Sequence, residues 1–357
     1  MVFHGVPELL CEGSPRAIGL AHGKGAAQQI RNSIALYSTL FGETAGIDWP
    51  EARRRAQVFL PSIQNHAPHL YVEMQGIADG AGDGVDIDDI LTLNVRSEIA
   101  LTNYSEGCTS LAGIDPAGRN HVFLAQNWDW VEEAADSLIL IDLRADGKPR
   151  ALLMCEAGIV GKFGLNTHGF GVCMNAIRCG AQDVSRLPVH IALRLAIECP
   201  SFAAAKALLD AKGLASTCNI VMADRGGAFG TFECSPHGNT MIRAAPSETI
   251  VCHTNHLYAP NGPRGLVDHP AANSFTRLAR IQELTGGRAP QSIQQIRAWL
   301  SDEHGLPAAI CRQRPPSATG TERMVTLATI IMDLTDFELE VSFGRPSLSP
   351  PVRQTTF

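Results

Sequence analysis

Glu106-Gly107-Cys108-Thr109-Ser110-Leu111-Ala112-Gly113 and, after a turn, His121-Val122-Phe123-Leu124-Ala125-Gln126-Asn127-Trp128-Asp129-Trp130 form the stretch that organises this chain. Between the two apolar runs, Asp115-Pro116 and Gly118 supply a turn, so the pattern predicts a β-hairpin. Folding about residue 117 sets Gln126 opposite Cys108 and places Asp129 just past the strand end, near the Cys108 amide nitrogen. A thiol, its own backbone nitrogen and a carboxylate then meet at one end of a sheet.

Gly107 adds a second expectation. Without a side chain it lets the backbone bend sharply and lets the neighbouring thiol approach its carbonyl. Attack of Cys108 Sγ on the Gly107 carbonyl gives a thioester, and hydrolysis of that thioester frees the Cys108 α-amine. An α-amine of pKa about 8 is well matched to deprotonate a thiol of pKa about 8.5. The plain alternative for Cys108 is a small buried hydrophobe, the usual role of a free cysteine.

Read as a whole, GCTSLAG…LAQNWDW resembles the self-processing segment of isopenicillin N acyltransferase and its relatives among the N-terminal nucleophile hydrolases. The likeness continues through LCEGSPRAIGLAHG, EAGIVGKFGLNTHGFGV, HTNH and a closing hairpin ending in FGRP, in the family's order. The resemblance implies an αββα sandwich of two mainly antiparallel sheets, self-cleavage before Cys108, and amide hydrolysis or acyl transfer through a Cys108 thioester. Residues 1–107 would then become a mainly helical small subunit, and residues 108–357 a catalytic segment headed by the nucleophile.

Composition narrows the class. At 357 residues, 45% hydrophobic and with a mean hydropathy of +0.01, the chain can bury a substantial core. A net charge of −7 without a block of like charges argues against nucleic acid or an anionic membrane as partner. No apolar run is long enough to span a membrane, the amino terminus does not read as a signal peptide, and QTTF is not a peroxisomal address. Ten cysteines without a C-x-x-C pair suggest neither a zinc site nor a disulfide framework. A cytoplasmic setting, which keeps Cys108 reduced, is therefore expected, with no cofactor and no metal.

Ser14-Pro15 caps a helix expected over 14–41 and closed by Gly42. Helical segments follow over Glu51–Leu60, beyond the Ala67-Pro68 break, and from the acidic turn Asp86–Asp89 through Leu101, leading to a polar loop at 102–106. After Cys108, strands are expected at Leu138–Leu143, Ala151–Cys155 and Gly169–Asn175. Two helices follow, and then a meander of strands from Cys218 to Thr254. Helices at Ser274–Leu284 and Ile293–Leu300 precede a final hairpin, Val325–Phe343. Alternating helical and strand blocks fit two sheets flanked by helices.

The catalytic candidates are Cys108, Asp129, Asn175, Asn255 and Arg277. Asn175 and Asn255 follow strands expected to run to one sheet end. There, amide donors would stabilise a tetrahedral oxyanion by about 3–4 kcal/mol each, although an asparagine at a strand end also suits a turn. The resemblance matches both asparagines to the site of related bile salt hydrolases, Asp129 to the aspartate that holds the nucleophile's amine, and Arg277 to an arginine supporting the cysteine. Gln126 and Trp128 are substrate-binding candidates, and so is Arg312, whose AICRQ resembles an I-C-R segment of the acyltransferase and suits a substrate or a sheet-end contact. Bile salt hydrolases carry arginine where Gln126 stands, which argues against a bile-salt-like substrate. Glu156 and Lys162 could shape the pocket, and Ser235 aligns with a serine linked to maturation. His253 and His256 lack a third ligand for a metal, and EAGIVGKFG has neither nucleotide-loop spacing. The expected substrate is a small-molecule amide or acyl thioester, and the other partners are the two fragments of the chain itself. The rival function is an uncleaved, non-catalytic binding protein on the same fold.

Overall fold

Ser14 does what its place before Pro15 predicts, its hydroxyl accepting from the Ala17 amide to start α1 (Pro15–Gly25), with β1 (Glu8–Gly13) ahead of it. The computed structural model describes residues 5–100, 107–115, 120–259, 262–263, 265–319 and 323–356. The polar loop expected at 102–106 and the turn residues 116–118 therefore lie outside the described residues.

The single helix expected over 14–41 is two, because Ala26 (φ −128°, ψ 27°) breaks the run before α2 (Ala27–Ala45). That helix passes through Gly42 and stops at Gly46, whose left-handed φ of 65° makes the C-cap. Then come α3 (Trp49–Ala56), α4 (Leu60–His66) and, beyond the Ala67-Pro68 break, α5 (Pro68–Ala81). A capping box of Asp86 and Asp89 starts α6 (Ile87–Asn94), and α7 (Arg96–Ala100) follows a break at Val95.

The strands then alternate between two layers. They are β2 (Gly107–Ile114), β3 (Val122–Val131), β4 (Leu138–Ala145), β5 (Ala151–Glu156), β6 (Phe163–Asn166) and β7 (Phe170–Ala176). After α8 (Val189–Ile197) and α9 (Phe202–Lys212) come β8 (Cys218–Asp224), β9 (Phe229–Ser235), β10 (Gly238–Ile242) and β11 (Ile250–His253). The chain finishes with α10 (Ala272–Thr285), α11 (Ile293–Leu300), β12 (Met324–Asp333), β13 (Glu338–Phe343) and β14 (Arg353–Thr356).

Among the described residues, one sheet has the order β1-β4-β5-β6-β7-β8-β9-β10 and the other β11-β2-β3-β12-β13-β14. Among the described strand pairs of these sheets, only β1–β4 is parallel. Leu111, Phe123 and Ala125 pack beneath α10 and α11 with Ile281, Ile296 and Leu300. Val122, Leu124 and Trp128 join the larger core with Phe170, Val172 and the helices of the amino-terminal segment. The result is the expected αββα sandwich of two mainly antiparallel sheets flanked by helices. No helix among the described residues is long and apolar enough to cross a membrane.

Three expectations need correcting. The hairpin pairs Cys108 with Trp128, Gly107 with Asp129 and Ser110 with Gln126, so its centre lies at residue 118 and not 117. Because the resulting shift is two residues, every side chain keeps its face. Asp129 is consequently inside the strand and not past its end. The expected meander also stops at β10, since β11 crosses to the other sheet and pairs with β2. Finally β1, inside the segment read as helical, is a strand of the larger sheet, while β6 and β14 are too short to show alternation.

Candidate active site

Period-two alternation divides the hairpin between two environments. Cys108, Ser110, Gln126 and Trp128 point between the sheets, while Gly107, Thr109, Asn127 and Asp129 face α10 and α11. The nucleophile candidate thus sits in the sandwich, and Asp129 reaches the Gly107–Cys108 peptide from the other side.

The Cys108 backbone is held at both ends. Its N–H donates to Asn255 Oδ1 at 2.7 Å, and its carbonyl accepts from Arg277 Nη1. Arg277 Nη2 also donates to Asn255 Oδ1, at 2.9 Å, and Nη1 to Thr109 Oγ1 at 3.1 Å. Two donors converging on one atom orient the Asn255 oxygen toward the nucleophile. Its Nδ2 donates to the Ala176 carbonyl at the end of β7, 3.0 Å away, and its own N–H to Ser274 Oγ at 2.8 Å. In this uncleaved chain Asn255 therefore offers Cys108 an acceptor.

Asp129 is fully buried. Oδ1 takes the Thr326 hydroxyl at 2.7 Å, while Oδ2 has no hydrogen-bond partner among the described residues. A Cβ on Gly107 would fall 2.8 Å from both Asp129 Cβ and Asp129 Oδ2. Glycine is needed here to admit the aspartate, since its φ is not in the left-handed region. Burial raises the Asp129 pKa, against the opposing pull of Arg277, Arg312 and the Thr326 hydrogen bond. Burial likewise lowers that of Arg277.

Asn175, the penultimate residue of β7, faces the same space from the opposite sheet. Its Oδ1 accepts from Ser110 Oγ at 2.7 Å and from Asn219 Nδ2 at 2.9 Å, which leaves Nδ2 buried without a partner. Unpartnered too are Trp128 Nε1, Arg277 Nε and Arg312 Nε. Buried polar atoms are seldom left unpaired, and these four belong to the residues gathered around Cys108.

The other candidates divide. Arg312 comes to the site through its backbone, which exchanges hydrogen bonds with Thr326, and its charge acts on Asp129 and Arg277. Gln126 spends both ends of its amide on the Met174 backbone, at 2.7 and 3.0 Å. Short β6 pairs only with Gly171 and Val172 of β7, so this side chain fills the open edge and ties the two sheets together at the level of the nucleophile. Trp128 lies under Lys162, whose Nζ is 3.2 Å from the ring centroid, and edge-on to Phe163. Lys162 in turn bonds Glu156 at 2.9 Å, and Arg96 and Tyr37 bond the same carboxylate. Ser235 Oγ accepts from the His237 amide and donates to the Gly238 carbonyl, closing a turn.

His253 Nε2 meets Glu233 at 3.2 Å, and His256 Nδ1 meets Ser274 Oγ at 2.8 Å, which steadies the loop that carries Asn255. Burial pushes the His256 pKa down to about 4. His121, Asp333 and Asp336 bring possible ligand atoms within 4.8 Å of one another at the far end of the hairpin. There Asp333 already accepts the Thr335 and Asp336 amides.

Sequence reasoning missed Ser110, Thr326 and Ser274. Ser110 was within reach, two residues from Cys108 and hence on its face. Thr326 and Ser274 depend on pairings across β12 and α10 that no local signal carries.

A model of the acyl-coenzyme A:6-aminopenicillanic acid acyltransferase family matches residues 117–348. The chain is 29% identical over 340 residues to the 40 kDa form of that acyltransferase from Emericella nidulans, covering 94% of this chain and 92% of the relative. It is 22% identical over 380 residues to a β-alanyl-dopamine/carcinine hydrolase of Drosophila melanogaster, covering 97% and 95%. Among solved structures it resembles a mutant of the conjugated bile acid hydrolase of Clostridium perfringens, with a TM-score of 0.48, 12% identity, and coverage of 70% and 96%. An N-acylethanolamine-hydrolyzing acid amidase ortholog of Caenorhabditis elegans gives 0.46, at 17% identity and coverage of 64% and 93%.

Proposed function

The chain belongs to the acyl-coenzyme A:6-aminopenicillanic acid acyltransferase family, and from that premise we propose that it is a self-processing enzyme whose Cys108 cleaves an amide or transfers an acyl group through a thioester. The observation that carries this reading is the Gly107–Cys108 junction itself. Its amide is gripped by Asn255, its carbonyl side lies against an unspent Asp129 oxygen, and an unpaired Asn175 donor faces the thiol's side of the sheet.

In maturation, Sγ attacks the Gly107 carbonyl carbon, the C–N bond breaks, and the thiol proton ends on the Cys108 nitrogen. Water then hydrolyses the thioester, leaving a Gly107 carboxylate and a free thiol. The fragments 1–107 and 108–357 stay joined by the β1–β4 pairing and by the buried pairs Arg194–Glu73 and Arg96–Glu156. In the mature site the neutral α-amine takes the thiol proton and Sγ attacks a substrate carbonyl. Asn175 Nδ2 donates to the oxyanion, and the ammonium returns its proton to the departing amine. Asp129, next to the new amino terminus, holds that ammonium. Water completes hydrolysis and an amine completes transfer, and relatives named for each outcome support a site that can serve either.

Mass spectrometry after exposure to a panel of acyl amides and acyl thioesters tests this function. An acyl adduct on the fragment that begins at Cys108, absent from Cys108→Ala, is the expected result. Equal labelling of Cys108→Ala would contradict it and point to another cysteine.

A further inference from the structure

The donor end of Asn175 is set from two strands away. Asn175 and Asn219 are direct cross-strand partners on β7 and β8, and Thr231 on β9, paired with Val221, reaches Asn219 diagonally. The Thr231 hydroxyl donates to Asn219 Oδ1, Asn219 Nδ2 donates to Asn175 Oδ1 at 2.9 Å, and Ser110 Oγ donates to the same Asn175 oxygen at 2.7 Å. All four side chains are fully buried. From Thr231 through Asn219 to Asn175 each member passes a hydrogen to the next oxygen, while Ser110 donates from the opposite side, and the chain ends in Asn175 Nδ2, which has no partner among the described residues.

Reversal of both amides would be nearly as well bonded. Asn219 Nδ2 would donate to the Thr231 oxygen, Asn175 Nδ2 to the Asn219 oxygen, and the atom left over at the site would be a carbonyl oxygen. The consequence for catalysis is large, because an oxyanion is stabilised by a donor and repelled by an acceptor. We propose that Asn219 and Thr231 are positioning residues that hold the Asn175 amide with its NH2 group toward the reacting carbonyl. This assignment rests on the reading of Asn175 as an oxyanion donor. Ser110 cannot set the direction, since the His253 carbonyl, 3.3 Å away, offers its hydroxyl an alternative acceptor, whereas among the described residues the Thr231 hydroxyl has Asn219 Oδ1 alone.

Acylation of the self-cleaved enzyme by 4-nitrophenyl acetate, followed as the burst of 4-nitrophenolate, tests the assignment without knowledge of the natural substrate. Asn175→Ala is expected to slow the burst about a hundredfold, and Asn219→Leu, close to isosteric, about tenfold or more. In the Asn175→Ala background, Asn219→Leu should cost nothing further, because its effect passes through that amide. Thr231→Ser, which keeps the hydroxyl, should react at the wild-type rate, and Thr231→Val should be slowed. An equal loss from Asn219→Leu in both backgrounds would overturn the assignment. If Asn219→Leu does not fold, equal rates for Thr231→Val and Thr231→Ser would overturn it instead. A wild-type burst from Asn175→Ala would remove the oxyanion reading itself, a different failure from either of these.

Discussion

Two carboxylates, Glu156 and Asp129, are equally buried and have opposite fates. Glu156 accepts from Tyr37 on one oxygen and from Arg96 and Lys162, at 3.0 and 2.9 Å, on the other. Burial alone would raise its pKa, but Arg96 and Lys162 outweigh it and hold the carboxyl below its usual range. Asp129 accepts one hydroxyl on one oxygen, and burial wins, so its pKa rises. The difference separates a charge spent on the fold from one held back. Glu156 ties the glycine-rich loop to α2 and α7, whereas Asp129 keeps an oxygen free against Gly107, where the proposed cleavage would make an ammonium for it.

The comparison breaks first at Glu156. Glu156→Gln should destabilise the protein by about 3–5 kcal/mol, because it leaves two buried cations without their anion. Denaturant unfolding of the uncleaved Cys108→Ala chain would measure this. With a folded pKa below the unfolded value, the Glu156 contribution is complete above about pH 4.3 and is lost as pH falls below it. The substitution should accordingly flatten the acid side of the stability profile. A loss no larger than that of an exposed glutamate would dissolve the contrast.

Asp129 should behave in the opposite sense and more weakly. Its folded pKa is raised, so the ionised group costs stability at neutral pH, and the cost fades as pH falls toward the unfolded value near 3.9. Asp129→Asn in the Cys108→Ala chain should therefore raise stability at pH 7, by on the order of 1 kcal/mol, with the gain shrinking on acidification. Destabilisation at pH 7 would show that Asp129 serves the fold as Glu156 does.

A smaller effect sharpens the same point in the mature enzyme. The acidic limb of kcat/KM should belong to the Cys108 amine–thiol pair. In fully cleaved Asp129→Asn that limb should move to lower pH, since loss of a nearby negative charge disfavours the ammonium. A limb unmoved or shifted upward would place Asp129 away from the amine.

Much of this arrangement was legible in the sequence, and what was not has a physical reason. Alternation alone put Cys108 and Gln126 on one face, and an even register error left that intact although the pairing was wrong. The family resemblance, more than residue type or position, brought Asn175, Asn255, Arg277 and Arg312 to the nucleophile. The end of the amide each asparagine would offer was hidden, because it depends on Ser274, Ala176, Asn219 and Thr231, partners fixed only by the packing of strands and helices. The contrast between Glu156 and Asp129 was hidden for the same reason. Tyr37 and Arg96 lie 119 and 60 residues from Glu156, and Thr326 lies 197 from Asp129. The four residues of β6 were too few to reveal a period, and Glu8-Leu9-Leu10-Cys11-Glu12-Gly13 of β1 shows no apolar alternation.

The central claim is that Cys108 cuts its own chain at Gly107, and the intact masses of two proteins purified from the same host test it most directly. The wild type should yield fragments 1–107 and 108–357, roughly 11 and 27 kDa, the larger beginning at Cys108, while Cys108→Ala should remain a single polypeptide of 357 residues. Two fragments from Cys108→Ala, or a wild type that stays whole, would contradict the account.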